Sequence, residues 1–259
     1  MSDILFSAAV AAYAVASVLW LAYLRGSEAQ TVTRAPWVLG VGVVTHVGWG
    51  ASRWLRDGIG PFSGIGPTLA TLALIVAVVM LLLRTVGPKV DVVATFAMPV
   101  VLGLLLASRL GHHGGTPTGA TFLVHVAANS VGVAAAVVAC AVAIAYLLLE
   151  RQVKAKRLGP LFRRLPSLVQ LEELSSRSVL VAIPALTVGI ITGHVVAARA
   201  GRGAGLPWQQ LFAMATWFVF VVLAVLRALG VWRGRRAMLG TIAGGAALIV
   251  TLGIYTGRG

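Results

Sequence analysis

Five histidines are the groups in this sequence best suited to chemistry, because few other reactive side chains occur in its apolar stretches. They are His46, His112, His113, His125 and His194. The seven acidic residues all fall in predicted loops or at helix ends: Asp3, Glu28, Asp57, Asp91, Glu150, Glu172 and Glu173. A membrane hydrolase or a proton-driven transporter normally keeps a carboxylate within the membrane. With no Ser/His/Asp set, no paired carboxylates and no phosphate-binding loop, the sequence disfavours both classes.

Imidazole is an axial ligand of haem iron, and an ionisable group inside a membrane span suggests a functional site. His125 lies about seven residues, roughly 10 Å, inside its apolar run, counted from the outer end at 1.5 Å per residue. His194 falls at a matching depth in the next run, and His46 near the middle of an earlier one. Each side chain could instead hydrogen-bond a backbone carbonyl or a neighbouring helix. His112 and His113 are expected to be solvated loop residues.

Composition indicates the environment in which these histidines must work. Charged residues make up 11% of the chain and the mean hydropathy is +0.94, whereas a soluble domain carries about 25% charged residues. The sequence therefore predicts an integral membrane protein. Its single cysteine, Cys140, excludes an intramolecular disulfide. The net charge of +14 is attributed to topology rather than to nucleic-acid binding, because Lys and Arg concentrate in loops on the cytoplasmic side.

Eight apolar runs are long enough to cross a bilayer, which needs about 20 helical residues. The sequence thus predicts an all-α, polytopic bundle in one domain over residues 1–259, with a retained first helix rather than a cleaved signal peptide. The predicted spans are residues 4–23, 37–54, 67–83, 92–110, 118–149, 178–198, 211–229 and 238–255.

The distribution of Lys and Arg predicts that both termini lie outside. Fifteen of these residues then fall in inner loops and six on the outer side, as the positive-inside rule requires. Residues 150–177 form a predicted basic cytoplasmic loop. The outer cations are Arg53, Arg56, Arg109, Arg199, Arg202 and Arg258.

Several segments, in their order along the chain, carry a family resemblance. A histidine helix reads THVGW at 45–49 and is followed by DGIGPF at 57–62. The fifth run ends AYLLLERQVK at 145–154, and LPSL at 165–168 and PALTVGIITG at 184–193 come next. A basic turn, GVWRGRR at 230–236, precedes the last run. Together, over about four-fifths of the chain, these segments resemble the cytochrome c assembly superfamily, especially its short HemX-like and synthase-type membrane proteins.

The resemblance implies a haem-handling protein of the bacterial inner membrane, in which His125 is a flanking haem ligand and His46 an intramembrane one. In that family a tryptophan-rich, acid-ending outer motif lies on the haem plane. Here the corresponding stretch reads ARAGRGAGLPWQQ at 198–210. It keeps Trp208, has no Asp, and contains Arg199 and Arg202. The second flanking histidine, expected near the end of the chain, is missing.

Two interpretations of this eroded motif stay open. In the first, haem binding is lost and the bundle is a structural or regulatory subunit. In the second, a haem b is held near the outer face between His125 and His194, with both imidazoles bound to iron. Arg199, Arg202 or Arg53 would then pair with the propionates, as suits a guanidinium.

Three functions follow from these interpretations. The first is a haem-handling protein, without enzymatic activity of its own, that acts with a partner in cytochrome c maturation. The second is a HemX-like regulator or accessory subunit of haem biosynthesis, whose basic loop at 151–164 contacts anionic lipid or an acidic enzyme. The third is a small-solute transporter. It is less favoured, because the sequence shows no internal repeat and no interrupted helix pair.

Overall fold

The computed structural model describes residues 2–26, 29–86, 89–111, 119–156, 159–199 and 208–256. It describes the backbone alone at residues 2, 29, 31, 32, 86, 91, 160, 161, 208, 209, 252 and 254–256. Helices dominate these ranges, which contain no strand, so the all-α prediction is confirmed. The helices are α1 Ser2–Arg25, α2 Ala29–Asp57, α3 Ile65–Leu82, α4 Ala94–Ala107, α5 Ala120–Lys154, α6 Pro160–Arg164, α7 Leu168–Arg199, α8 Trp208–Ala228 and α9 Arg235–Thr256.

Each predicted span overlaps one helix of the described chain. Five helices of the described chain, α1, α3, α5, α7 and α8, are long and apolar enough to cross a membrane. Helix α4 is apolar but has only 14 residues, and 3₁₀ turns at 83–86 and 91–93 occupy the connection before it. A multi-pass membrane protein is therefore supported, while the total of eight spans stays a prediction.

Contacts between helix termini define the two ends of the bundle. Arg109, just after α4, forms an ion pair of 3.0 Å with Asp3 in the first turn of α1. We call this end the Asp3 end. At the opposite end, the Glu150 end, Glu172 of α7 accepts a 2.7 Å hydrogen bond from the backbone N–H of Gly234, before α9. The prediction that the Asp3 end faces outside stays a prediction.

Helix α5 is the centre of the bundle. It packs most extensively against α7 and also contacts α3, α4 and α9. Small side chains, including Ala136, Ala139 and Ala143, are fully buried along it and let neighbouring helices approach closely. The helix that carries His125 is therefore held on several sides.

Much of the predicted 150–177 loop is helical. Helix α5 continues to Lys154, and α7 begins at Leu168, so that the short α6 and its flanking turns form the connection. Ion pairs four residues apart, Lys154 with Glu150 and Arg177 with Glu173, stabilise these charged helix ends.

Candidate functional site

His125 lies in the interface between α5 and α7, where two glycines of α7 leave room for it. A Cβ atom added to Gly193 would come within 2.6 Å of Cε1 of His125, and one added to Gly189 would collide with the side chain of Asn129. Because residues four apart in a helix share a face, Gly189 and Gly193 form one groove for the polar pair on α5. The two glycines thus accommodate a histidine within an apolar interface.

One hydrogen bond orients the His125 ring. Nδ1 lies 2.7 Å from the carbonyl oxygen of Gly189, so this nitrogen carries the proton and donates it. Nε2 is then an acceptor, and the polar atom recorded near it is Nδ2 of Asn129, at 3.5 Å. That amide also donates to the carbonyl oxygen of His125 at 2.9 Å. Metal-binding histidines are usually oriented in this way, with the other ring N–H on a backbone carbonyl.

A cation lies one helical turn from His125, toward the Asp3 end. Nη1 of Arg199 donates to Oγ1 of Thr121 at 3.1 Å, and Thr121 shares a face of α5 with His125 because it precedes it by four residues. The Arg199 guanidinium is exposed. Of the arginines suggested by the sequence as propionate partners, Arg199 is therefore the one that the described structure brings to the side of His125.

His194 follows Gly193 directly and so points elsewhere. Successive residues of an α-helix are rotated by about 100°, and while Gly193 faces His125, Nδ1 of His194 lies 3.4 Å from Nε2 of Gln210 on α8. The His194 ring is exposed. His194 is thus close to His125 in level, but it points away from the face of α7 that contacts His125.

His46 belongs to a separate cluster between α1 and α2. Its side chain is 2% exposed, its Nδ1 lies 3.1 Å from Oη of Tyr13, and its ring centroid is 5.7 Å from that of Trp49. Arg53 extends over Trp49 in the same cluster, with Cζ 5.2 Å from the ring centroid. Helix α2 packs mainly against α1 and α3, so this cluster is separate from the α5–α7 interface that contains His125.

Other candidates lie outside the described residues. These are His112, His113 and Arg202, together with the side chain of Trp208. Among the residues that the structure does describe, no group of three or more His, Cys, Asp or Glu side chains could hold a metal ion.

Sequence reasoning missed Asn129, Thr121 and Tyr13. Asn129 is the only asparagine in the chain, and its position four residues after His125 in an apolar run was an available signal. Tyr13 also lies in an apolar run, where a buried hydroxyl needs a hydrogen-bonding partner. For Tyr13 and Thr121 the sequence offered the polar group but not its partner on another helix, which is His46 and Arg199 respectively.

Two cations of the predicted basic loop at 151–164 make contacts with other side chains of the protein. Lys154 pairs with Glu150 at 2.7 Å. Cζ of Arg164 lies 4.1 Å from the centroid of the Tyr23 ring, which attaches α6 to the end of α1. These contacts give two of the basic residues an internal structural role.

Comparisons with known proteins agree on one family. The model of the family described as "Cytochrome C assembly protein" matches residues 63–256. A cytochrome c biogenesis protein CcsA from Synechococcus sp. (strain CC9902) is 28% identical over 237 residues, covering 79% of this chain and 76% of the relative. The protein of that name from Synechococcus sp. (strain CC9605) is 26% identical over 237 residues, again covering 79% of this chain and 76% of the relative. One from Thermosynechococcus vestitus is 33% identical over 97 residues, 36% of this chain and 30% of the relative.

Proposed function

The chain belongs to the cytochrome c assembly protein family, and we propose that it handles haem for cytochrome c biogenesis, using His125 as an axial ligand near the Asp3 end. We place it in a bacterial plasma membrane, where it would act with a partner that presents the apocytochrome. The observation that carries the proposal is the 2.7 Å hydrogen bond from His125 to the Gly189 carbonyl. It indicates the tautomer in which the lone pair that an iron would bind is on Nε2.

The chemistry of the donor set suits haem. Haem supplies an iron that accepts imidazole axially and propionates that are attracted to guanidinium groups. His125 provides the imidazole. Arg199, one turn nearer the Asp3 end, provides the cation through its position beside Thr121. Helices α5 and α7 contain no acidic residue in this region. No carboxylate of these two helices therefore competes with haem for His125 or Arg199.

We assign the second axial position to His194. Its ring is exposed, and its only recorded polar contact among the described residues is the 3.4 Å bond with Gln210. Since His194 lies on a different face of α7 from Gly193, binding would require its side chain to leave Gln210 and turn toward α5. Arg202, between α7 and α8, and Trp208, the first residue of α8, complete the proposed set.

His46 is a weaker candidate for an intramembrane ligand. Its imidazole is enclosed between α1 and α2 and already has Tyr13 as a partner. A bound iron would require these helices to separate. We therefore assign His46 a structural role in the α1–α2 pair.

Titration of the purified chain with haem tests the proposal. The chain in detergent micelles would be titrated with haemin while the Soret band is followed against matched micelles without protein. We expect a saturable spectral change that ends at one haem per chain. A titration identical to that of protein-free micelles would contradict haem handling and support the alternative, an accessory subunit without haem of its own.

A further inference from the structure

A cleft of about 200 Å³ opens between α7 and α8 near the Glu150 end. Its walls are mostly apolar, with one arginine and one serine among the lining residues. Those residues are Ser176, Val179, Leu180, Ala224, Arg227 and Ala228. The cleft lies at the opposite end of α7 from Gly193 and His194, so it is separate from the proposed haem site.

Arg227 is an unusual residue for such a wall, because only one of its three guanidinium nitrogens is satisfied. Nη2 donates to Oγ1 of Thr241 at 2.7 Å, to the carbonyl oxygen of Ala237 at 3.1 Å and to Oγ of Ser175 at 3.3 Å. Nε and Nη1 are shielded from solvent and have no hydrogen-bonding partner among the described residues. Shielded polar groups without partners are costly and rare.

The positive charge of Arg227 is also uncompensated. No carboxylate oxygen of the described chain lies within 4 Å of it to form an ion pair. Glu172, the acidic residue whose field acts on Arg227, uses its Oε1 to accept the Gly234 N–H. A cation in a membrane helix normally marks a binding site or has a counter-ion, so the charge of Arg227 indicates an anionic ligand.

The surroundings of the cleft indicate what carries the anion. Leu180 of α7 and Val225 of α8 are exposed on the apolar faces beside it, where acyl chains would cover them in a bilayer. Arg233, Arg235 and Arg236 lie exposed in the turn after α8 and at the start of α9. Clusters of Lys and Arg at a membrane surface attract anionic headgroups.

We propose that this cleft binds an anionic phospholipid, with an acyl chain lying along Val179 and Leu180. The Arg227 guanidinium would turn toward the cleft, so that the lipid phosphate accepts the hydrogen bonds that Nε and Nη1 do not make within the described chain. The lipid would supply the counter-charge that the described chain lacks. It would also bridge α7 and α8 at the Glu150 end. Free phosphate offers the same oxygen atoms but leaves the apolar wall uncovered, so the lipid is the better match.

Native mass spectrometry of the full chain in detergent tests this site. The delipidated protein would be titrated with phosphatidylglycerol, with phosphatidylcholine and with inorganic phosphate. We expect a phosphatidylglycerol adduct that persists in Arg56→Gln, which removes the same charge from an exposed position at the end of α2, away from the cleft. In Arg227→Gln its affinity should fall about tenfold, the effect of losing one good charge-assisted hydrogen bond.

A second variant separates loss of the site from loss of the fold. Ala224→Leu keeps Arg227 and its bonds but fills the cleft, and it should also weaken the phosphatidylglycerol adduct while leaving the thermal unfolding midpoint of the lipid-free chain nearly unchanged. Equal retention of the phosphatidylglycerol adduct by the wild type, Arg227→Gln and Ala224→Leu would overturn the proposal. Binding of inorganic phosphate as tight as that of phosphatidylglycerol would overturn its assignment to lipid.

Discussion

The imidazole of His125 fits against the bare Cα of Gly193: a methyl group there would come within 2.6 Å of Cε1 and 2.9 Å of Nδ1. The ring cannot move aside without loss, because Nδ1 is bonded to the carbonyl of Gly189. The glycine pair of α7 therefore does more than bring two helices together. It sets the position of His125, the first of the two histidines that we assign to haem iron.

Gly193→Ala should destabilise the protein by about 1–3 kcal/mol, the usual penalty for overpacking a close contact. It should also weaken haem binding, because the methyl group displaces His125. Unfolding in mixed detergent micelles and haem titration measure the two effects. Gly103→Ala on α4, where an added Cβ meets nothing within 4 Å, is the matched control and should leave both unchanged or slightly raise stability. Equal behaviour of the two variants would show that His125 is not confined by Gly193.

Asn129→Ala should lower haem affinity about 10- to 100-fold, the range reported for groups that orient a metal ligand. Its amide holds the His125 backbone carbonyl at 2.9 Å and lies beside both ring nitrogens. The affinity would be measured by haem titration, with Ser17→Ala as control because it removes a polar side chain from α1. An Asn129→Ala variant with wild-type affinity and spectrum would exclude a positioning role.

Tyr13→Phe should cost about 1–3 kcal/mol of stability, because it leaves the ring of His46 without its hydroxyl partner in a shielded interface. Haem content should not change, since His46 is enclosed at 2% exposure and lies in a different cluster from His125. Tyr23→Phe is the control, because the Tyr23 ring contact with Arg164 does not need the hydroxyl. Loss of haem from Tyr13→Phe alone would return His46 to the ligand set.

Two neighbouring glutamates at the Glu150 end should differ in their effects. Glu172→Ala removes the acceptor of the 2.7 Å bond from Gly234 and should cost about 1.5–3 kcal/mol, as for hydrogen bonds to charged groups. Glu173→Ala removes only an exposed ion pair with Arg177, which is worth about 0–1 kcal/mol. Unfolding measurements on both variants check this order, and the reverse order would contradict the described turn before α9.

The sequence was sufficient to predict the helical class and the approximate position of each long helix, because each apolar run is bounded by charged or turn residues. It could not predict that Gly193 rather than His194 faces α5. An almost uniformly apolar helix carries no face signal, so the rotation of α7 depends on packing. The bond between Tyr13 and His46, which lie 33 residues apart, depends in the same way on how α1 meets α2.

The sequence also did not predict that two helices extend beyond their apolar runs. Residues 150–154 and 168–177 include several charged side chains and fall in the predicted loop. In the structure, residues 150–154 extend α5 and residues 168–177 form the beginning of α7. Their stabilisation comes from ion pairs one turn apart and from the Glu172 bond to Gly234. Hydropathy does not register such interactions.

The most direct test of the account is the dithionite-reduced minus oxidised absorption spectrum of the haem-loaded protein and its histidine variants. We predict a sharp reduced α-band in the wild type that His125→Ala abolishes and His194→Ala abolishes or broadens, while His46→Ala retains it. Loss of the α-band in His125→Ala alone would support His125 as the first iron ligand and would assign the second ligand to a residue other than His194. An unchanged band in His125→Ala, with the variant folded as judged by its unfolding midpoint, would contradict the central claim.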